Sequence, residues 1–91
     1  NEDALKSYDR AIELAPENAA AWIDRGFVLE ELGRNEDALK SYDRAIELAP
    51  ENEDAWVIRG IVLYKLGRNE EALASHDKAE ELERTSNHPQ A

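Results

Sequence analysis

The residues best suited to chemistry in this sequence are a histidine–glutamate pair and three evenly spaced serines. His76 and Glu80 lie four residues apart, so both side chains would share one face of a helix and could hold a metal ion together with a third ligand. The chain has no cysteine to supply a thiolate ligand. Because two ligands alone are a weak signal, we interpret His76 as a surface residue and predict no metal site.

Serine recurs once in every 34 residues, at Ser7, Ser41 and Ser75. A serine nucleophile needs a base within hydrogen-bonding reach, and no histidine or second base recurs with these serines. The abundant carboxylates are interspersed with lysine and arginine, and none lies in an apolar pocket suited to acid–base catalysis. We therefore predict a non-enzymatic protein with no catalytic residue and no cofactor, in which the serines are small interface or surface residues.

The charge of the chain narrows the classes of partner. Its 91 residues include 21 acidic and 11 basic side chains, a formal net charge of -10, which repels phosphate backbones and anionic lipid. No apolar run approaches the roughly 18 to 20 residues of a membrane span. The sequence thus argues against nucleic-acid and membrane partners, and it leaves the compartment open while favouring the cytoplasm.

The chain repeats itself with a period of 34 residues. The segment NEDALKSYDRAIELAPEN occurs at positions 1–18 and again, unchanged, at 35–52, and residues 1–34 match residues 35–68 at 27 of 34 positions. A looser copy of the pattern begins at Asn69. Self-similarity at a fixed period is typical of arrays in which each unit buries its apolar face only against its neighbours.

Residues that typically start and end helices divide each period into two helices. One helix begins at a capping asparagine, Asn18 or Asn52, and ends at a Leu-Gly pair. The other helix ends at Pro16 or Pro50, and the residues suited to cap its start are Asn1, Asn35 and Asn69. The predicted helices span residues 2–15, 19–32, 36–49, 53–66 and 70–83. They form one all-α domain, residues 1–84, and we expect residues 85–91 to be a polar, disordered tail.

The residues at fixed positions of the period resemble those of the tetratricopeptide repeat, a 34-residue helix-turn-helix. One run of the motif reads Trp22, Gly26, Leu29, Ala38, Tyr42, Ala45, Pro50, and the next reads Trp56, Gly60, Leu63, Ala72, His76, Ala79, with Arg84 in place of the proline. The resemblance implies a right-handed superhelical solenoid of antiparallel helix pairs. It also implies a scaffold without chemistry of its own that binds peptides on its concave face.

Two features depart from well-known members of that family. The best-known peptide-binding subclass grips a C-terminal carboxylate with Lys and Asn, whereas the matching positions here hold Ile23, Phe27, Val57 and Ile61. We therefore predict that this clamp is absent. Arg25 and Arg59 replace an apolar residue, and we expect their alkyl stems to pack while the guanidinium reaches a carboxylate or water. The alternative is that they contact a ligand carboxylate.

A second apolar stripe lies next to the predicted core face, and such an excess of apolar surface is expected to be buried against another element. It consists of Ile23, Phe27, Val57, Ile61 and Tyr64. Neighbouring helices of the array, a bound peptide or another copy of the chain could cover this stripe. We predict a peptide-binding groove, and Asp24, Glu30 and Glu31 at its edge favour a protein or peptide partner with apolar anchors and basic flanks. The predicted groove residues are Ile23, Phe27, Glu30, Val57, Ile61 and Tyr64.

The two ends of the pattern differ. The first predicted helix lacks the partner that its own repeat would place before it, and its apolar residues Leu5, Tyr8 and Ile12 form a candidate self-association edge. At the other end the pattern fades, as in a terminal repeat that faces water. Either the sequence is a natural or engineered piece of a longer array, or its open end stacks on another chain. A self-associating structural or designed module is thus the alternative function.

Overall fold

The computed structural model describes residues 1–87, which form five α-helices joined by short turns. In chain order the helices are α1 (Glu2–Leu14), α2 (Ala19–Glu31), α3 (Asn35–Leu48), α4 (Glu53–Lys65) and α5 (Asn69–Asn87). α2 packs closely on α3 and α4 on α5, as antiparallel pairs, and contacts of α1 with α2 and of α3 with α4 join the pairs in a row. The prediction of an all-α solenoid of helix pairs is confirmed, with dimensions of 48 × 31 × 16 Å.

The Leu-Gly turns end α2 and α4 as predicted. Gly33 has a φ of 77°, its N–H donates to the Glu30 carbonyl, and the Arg34 N–H donates to the Leu29 carbonyl at 2.8 Å, which together make a Schellman C-cap. The prediction that Asn35 caps the following helix is wrong. The Arg34 carbonyl accepts the Ala38 N–H at 3.0 Å, so α3 already includes Asn35.

The proline turns are held by a side-chain bond that joins them to the next helix. The indole N–H of Trp22 donates to the Pro16 carbonyl at 2.9 Å, and Trp56 makes the same bond to Pro50. Asn18 caps α2 through its side chain, which accepts the Ala21 N–H. Each tryptophan therefore fixes where its helix starts relative to the helix before it.

The last helix is longer than predicted. α5 continues to Asn87, so residues 85–87 are helical and not part of a disordered tail. Arg84 stands where Pro16 and Pro50 end the earlier helices, and without proline nothing forces the helix to end there. Residues 88–91 of the predicted tail lie outside the described residues.

The core runs through the helix pairs as one cluster. Tyr42, Leu29 and Leu63 are its largest fully buried hydrophobic side chains. Gly26 permits the closest approach, because a Cβ at this position would overlap the Tyr42 ring. The small residue on α2 therefore decides how deeply the tyrosine of α3 can sit.

Candidate functional site

The predicted groove residues lie on α2 and α4, which run in the same direction with α3 between them in the chain. Four of the side chains are exposed: Phe27 and Ile61 at 44%, Val57 at 38% and Tyr64 at 70%. Ile23 is half-buried, and the Glu30 side chain is only 12% exposed. Neighbouring helices within residues 1–87 thus leave most of this apolar stripe open to solvent.

Phe27 packs on its core side against Tyr42. The two rings pack edge to face with centroids 6.0 Å apart and an interplanar angle of 66°, a favourable aromatic geometry. Since Tyr42 is fully buried, it has no freedom to move away from Phe27. One side of the phenylalanine ring is therefore supported by the core, and the rest is available for contact.

Glu30 joins the two halves of the groove. Its carboxylate accepts a 2.6 Å hydrogen bond from the Tyr42 hydroxyl and a 3.0 Å bond from the Lys65 ammonium on α4. Burial, followed by the hydrogen bond and charge of Glu30, raises the pKa of the Tyr42 phenol well above its ordinary value. Glu30 is therefore already engaged within the chain, and it ties α2 to α4 beside the apolar stripe.

The expectation for the two unusual arginines is confirmed. Arg25 Nε lies 2.6 Å from Asp9 Oδ1, and its Nη1 donates a 2.7 Å bond to Ser41 Oγ. The arginine side chain is 25% exposed, so its stem packs while its guanidinium reaches a carboxylate. Arg59 repeats both contacts one period later, and its guanidinium lies 5.9 Å from the Trp56 ring centroid.

A further signal in the sequence marks the same surface. The seven positions at which residues 1–34 differ from residues 35–68 all fall in α2 and its counterpart α4. On a helical wheel they fall within an arc of about 140°, and the identical positions of the same helices occupy the other side. None of the differing residues is buried. In α2 they are Ala19, Ala20, Ile23, Asp24, Phe27, Glu30 and Glu31.

One of the three residues predicted to form a self-association edge on α1, Leu5, is wrongly placed there. Leu5 is only 6% exposed and packs in the core cluster with Val28 and Leu29. It faces α2, so it is not part of an open edge. Tyr8 and Ile12 are half-buried, and Leu14 is the most exposed large apolar side chain of this helix at 75%.

His76 occupies the position that Tyr42 has one repeat earlier. Its ring lies against Gly60, where an added Cβ would come within 2.8 Å of the imidazole. Among residues 1–87, His76 and Glu80 gain no third ligand in a group that could hold a metal ion. No helix in this part of the chain is long and apolar enough to cross a membrane.

Comparison with solved structures gives close matches to helical repeat proteins. The crystal structure of MamA superposes with a TM-score of 0.90 and 27% identity over 93% of this chain and 50% of that chain. The second TPR of Spaghetti (RPAP3), bound to the HSP90 peptide SRMEEVD, gives a TM-score of 0.84 and 27% identity over 89% of this chain and 75% of that chain. The chain thus spans about half the length of the MamA protein that it matches.

Comparison with curated protein sequences gives no match. Two family models described as tetratricopeptide repeat match residues 1–60 and 53–86, which together cover nearly the whole chain. The tetratricopeptide repeat is itself a non-enzymatic scaffold for protein–protein interaction. With the helix pairs, the two in-register motifs and these matches together, the chain belongs to the tetratricopeptide repeat family.

Proposed function

We propose that this protein binds an apolar or amphipathic peptide segment of another protein in the groove formed by α2 and α4. The observation that carries the proposal is the confinement of all differences between the two repeats to this one face. Within α2 and α4 the positions that maintain the fold are identical, whereas the positions on this face vary in size and charge. A face whose side chains differ between repeats, while the buried residues beneath it are identical, is suited to selecting a particular partner.

The chemistry of the face indicates the kind of segment. Phe27, Val57 and Ile61 offer three apolar contacts spread over two helices, enough for the anchors of an amphipathic helix or an extended peptide. Asp24 and Glu31 lie among the differing positions at its edge, whereas Glu30 is already neutralised by Lys65. The segment that fits has apolar anchors flanked by lysine or arginine.

The same chemistry disfavours an acidic peptide. SRMEEVD, the segment bound by the RPAP3 domain, carries three acidic residues and one arginine. The positions that would grip a terminal carboxylate hold Ile23 and Phe27 here, and the chain as a whole has a net charge of -10. We expect this peptide not to bind, which makes it a suitable negative control.

The test starts from a displayed library of random peptides selected on the purified chain. We expect the selected peptides to share apolar anchors with basic flanks. Phe27→Asp combined with Ile61→Asp should weaken their binding at least tenfold, since each change places an unpaired charge under the apolar anchor. Both positions are 44% exposed, so the variant should fold.

The control is Leu14→Asp, which changes an apolar residue on α1 that lies outside the groove and is more exposed, at 75%, than Phe27 and Ile61. It should leave affinity for the selected peptides unchanged. Selected peptides that bind the double variant as tightly as the unsubstituted chain would show that the groove is not the binding surface.

The alternative is self-association through α1. The observations in its favour are the 75% exposure of Leu14 at the end of α1 and the partial exposure of Tyr8 and Ile12 on another face of the same helix. The burial of Leu5 removes one of its three predicted contacts, and the acidic charge of the chain opposes pairing of identical surfaces. The mass of the protein in solution separates this alternative from the groove.

A further inference from the structure

The outer face of α5 differs from the same face of α3 in how it is covered. Leu39 of α3 and Leu73 of α5 occupy equivalent positions in the repeat, but Leu39 is 5% exposed and Leu73 is 63% exposed. α3 packs between α2 and α4, whereas α5, within residues 1–87, packs on α4. The position that α4 takes on α3 is therefore a helix-sized seat on α5 that no helix within residues 1–87 fills.

Two clefts that share the lining residue His76 lie along this seat, and together we call them the trough. One cleft, of about 410 Å³, lies where α4 ends and α5 begins. The other, of about 280 Å³, lies where α4 begins and α5 continues towards its C-terminal end. The first is lined by Tyr64, Asn69, Ala72, Leu73 and His76. The second is lined by Glu53, Asp54, Val57, His76, Ala79, Glu80 and Glu83.

The chemistry of the trough is divided along its length. One repeat earlier, the positions of Glu53, Asp54, Glu80 and Glu83 hold Ala19, Ala20, Ile46 and Ala49. Four apolar residues have thus become four carboxylates in the second cleft. In the first cleft the change is opposite, because Tyr64 replaces Glu30 and Leu73 is retained.

These carboxylates have little neutralising charge within the chain. Among residues 1–87, Glu80 has one ion pair, with Arg84 at 3.9 Å on the exposed side of α5, and the other three have none. The first cleft, in contrast, presents the exposed side chains of Tyr64 and Leu73. A helix that repeated the sequence of α4 would bring Glu53 and Asp54 of its own first turn to the acidic end, where like charges repel.

We propose that the outer face of α5 docks an amphipathic helix of a partner protein that is basic in its first half and apolar in its second half. The helix runs parallel to α4, as α4 runs parallel to α2, so the positive end of its dipole lies at the carboxylates. A second copy of this chain does not fit, because its own net charge is -10. The surface meets the groove at Val57 and Tyr64, and its α5 residues lie outside the groove.

Two synthetic peptides test the proposal. The first has the sequence of residues 52–68, NEDAWVIRGIVLYKLGR, which contains the helix that occupies the equivalent seat on α3. The second carries the same sequence with E53K and D54K, so that its first turn becomes basic. Labelled peptides are titrated with the full chain, and binding is followed by fluorescence anisotropy at low and high salt.

We expect the lysine peptide to bind about tenfold more tightly than the first peptide at low salt, with the difference shrinking at high salt. Leu73→Asp in the chain should weaken the lysine peptide about tenfold, because it places a charge beneath the apolar half of the helix. Glu80→Lys with Glu83→Lys should remove the preference for lysine.

Matched controls separate this face from the groove. Leu14→Asp removes an exposed leucine at the far end of the molecule, and Phe27→Asp disrupts the groove on α2; neither should change binding of the lysine peptide. Equal affinity for the two peptides, no saturable binding of either, or full binding by Leu73→Asp would overturn the proposal. Loss of binding in Phe27→Asp would overturn it as well, since the peptide would then occupy the groove.

Discussion

The Arg59 guanidinium on α4 donates a 2.6 Å hydrogen bond to the hydroxyl oxygen of Ser75 on α5, and that serine is completely buried. The same guanidinium pairs with Asp43 on α3 through Nε. One arginine therefore connects three successive helices, and Arg25 does the same for α1, α2 and α3. Because both arginines belong to the helices that carry the proposed groove, these bonds fix α2 and α4 against the rest of the array.

Arg59→Met tests the energetic importance of this connection. Methionine preserves much of the packed stem but leaves the Ser75 hydroxyl buried without its donor, which costs about 1–3 kcal/mol of unfolding free energy. Arg44→Met is the control, because Arg44 makes an ion pair with Glu47 in which both side chains are largely exposed, and such pairs contribute about 0–1 kcal/mol. Urea unfolding measures the free energy of unfolding of both variants. Equal small losses would show that the buried bond stabilises the protein no more than the exposed ion pair does.

Gly26→Ala is expected to destabilise the protein more than Gly60→Ala. The new methyl at position 26 would overlap the ring of Tyr42, which is fully buried and cannot withdraw, so overpacking should cost about 1–3 kcal/mol. At position 60 the neighbour is the exposed His76 ring, which can turn aside. Denaturant unfolding of the two variants gives the comparison, and an equal loss would contradict this account of tyrosine packing.

Local signals in the sequence were sufficient to predict the order of the helices. Pro16, the Leu-Gly turns and the capping side chains of Asn18 and Asn52 act within one or two turns of the chain, so four helices were predicted to within a residue. The length of α5 was not predictable in this way, since a missing proline permits a longer helix without specifying its end.

Contacts between helices were harder to predict than the helices themselves. The spacing of the apolar stripe indicated that Phe27 and Ile61 would lie on one surface, but not that Tyr42 would support the Phe27 ring. The bond between Arg25 and Ser41 joins residues 16 positions apart, and only the packing of α2 on α3 reveals it. Leu5 was misassigned for the same reason, because helical periodicity does not show which side of α1 meets α2.

The Tyr42 phenol predicts how stability depends on alkaline pH. Burial and the bond to Glu30 raise its pKa in the folded state above the ordinary value of about 10 in the unfolded chain. The stability it contributes is therefore complete below pH ~10 and is lost as the pH rises above that value, at up to about 1.4 kcal/mol per pH unit, because only the unfolded state then releases the proton.

Tyr42→Phe should remove this part of the alkaline loss of stability, although it also lowers stability at neutral pH by about 1 kcal/mol through the lost bond to Glu30. Urea unfolding at several pH values between about 8 and 11 measures the slope for each protein. Tyr64→Phe is the control, since Tyr64 is 70% exposed and its hydroxyl makes no buried bond to another of residues 1–87. Identical slopes for the unsubstituted chain and Tyr42→Phe would contradict the predicted effect.

The mass in solution decides whether the exposed apolar side chains meet a foreign partner or another copy of the chain. We expect a constant mass of 10.3 kDa by light scattering after gel filtration over a hundredfold range of concentration, since the charge of -10 opposes close approach of identical chains. A mass that rises with concentration would favour self-association. The variants Leu14→Glu and Phe27→Asp would then identify the surface. If Leu14→Glu returned the mass to 10.3 kDa, the contact would lie on α1. If Leu14→Glu left the assembly intact and Phe27→Asp dissociated it, the contact would lie in the groove.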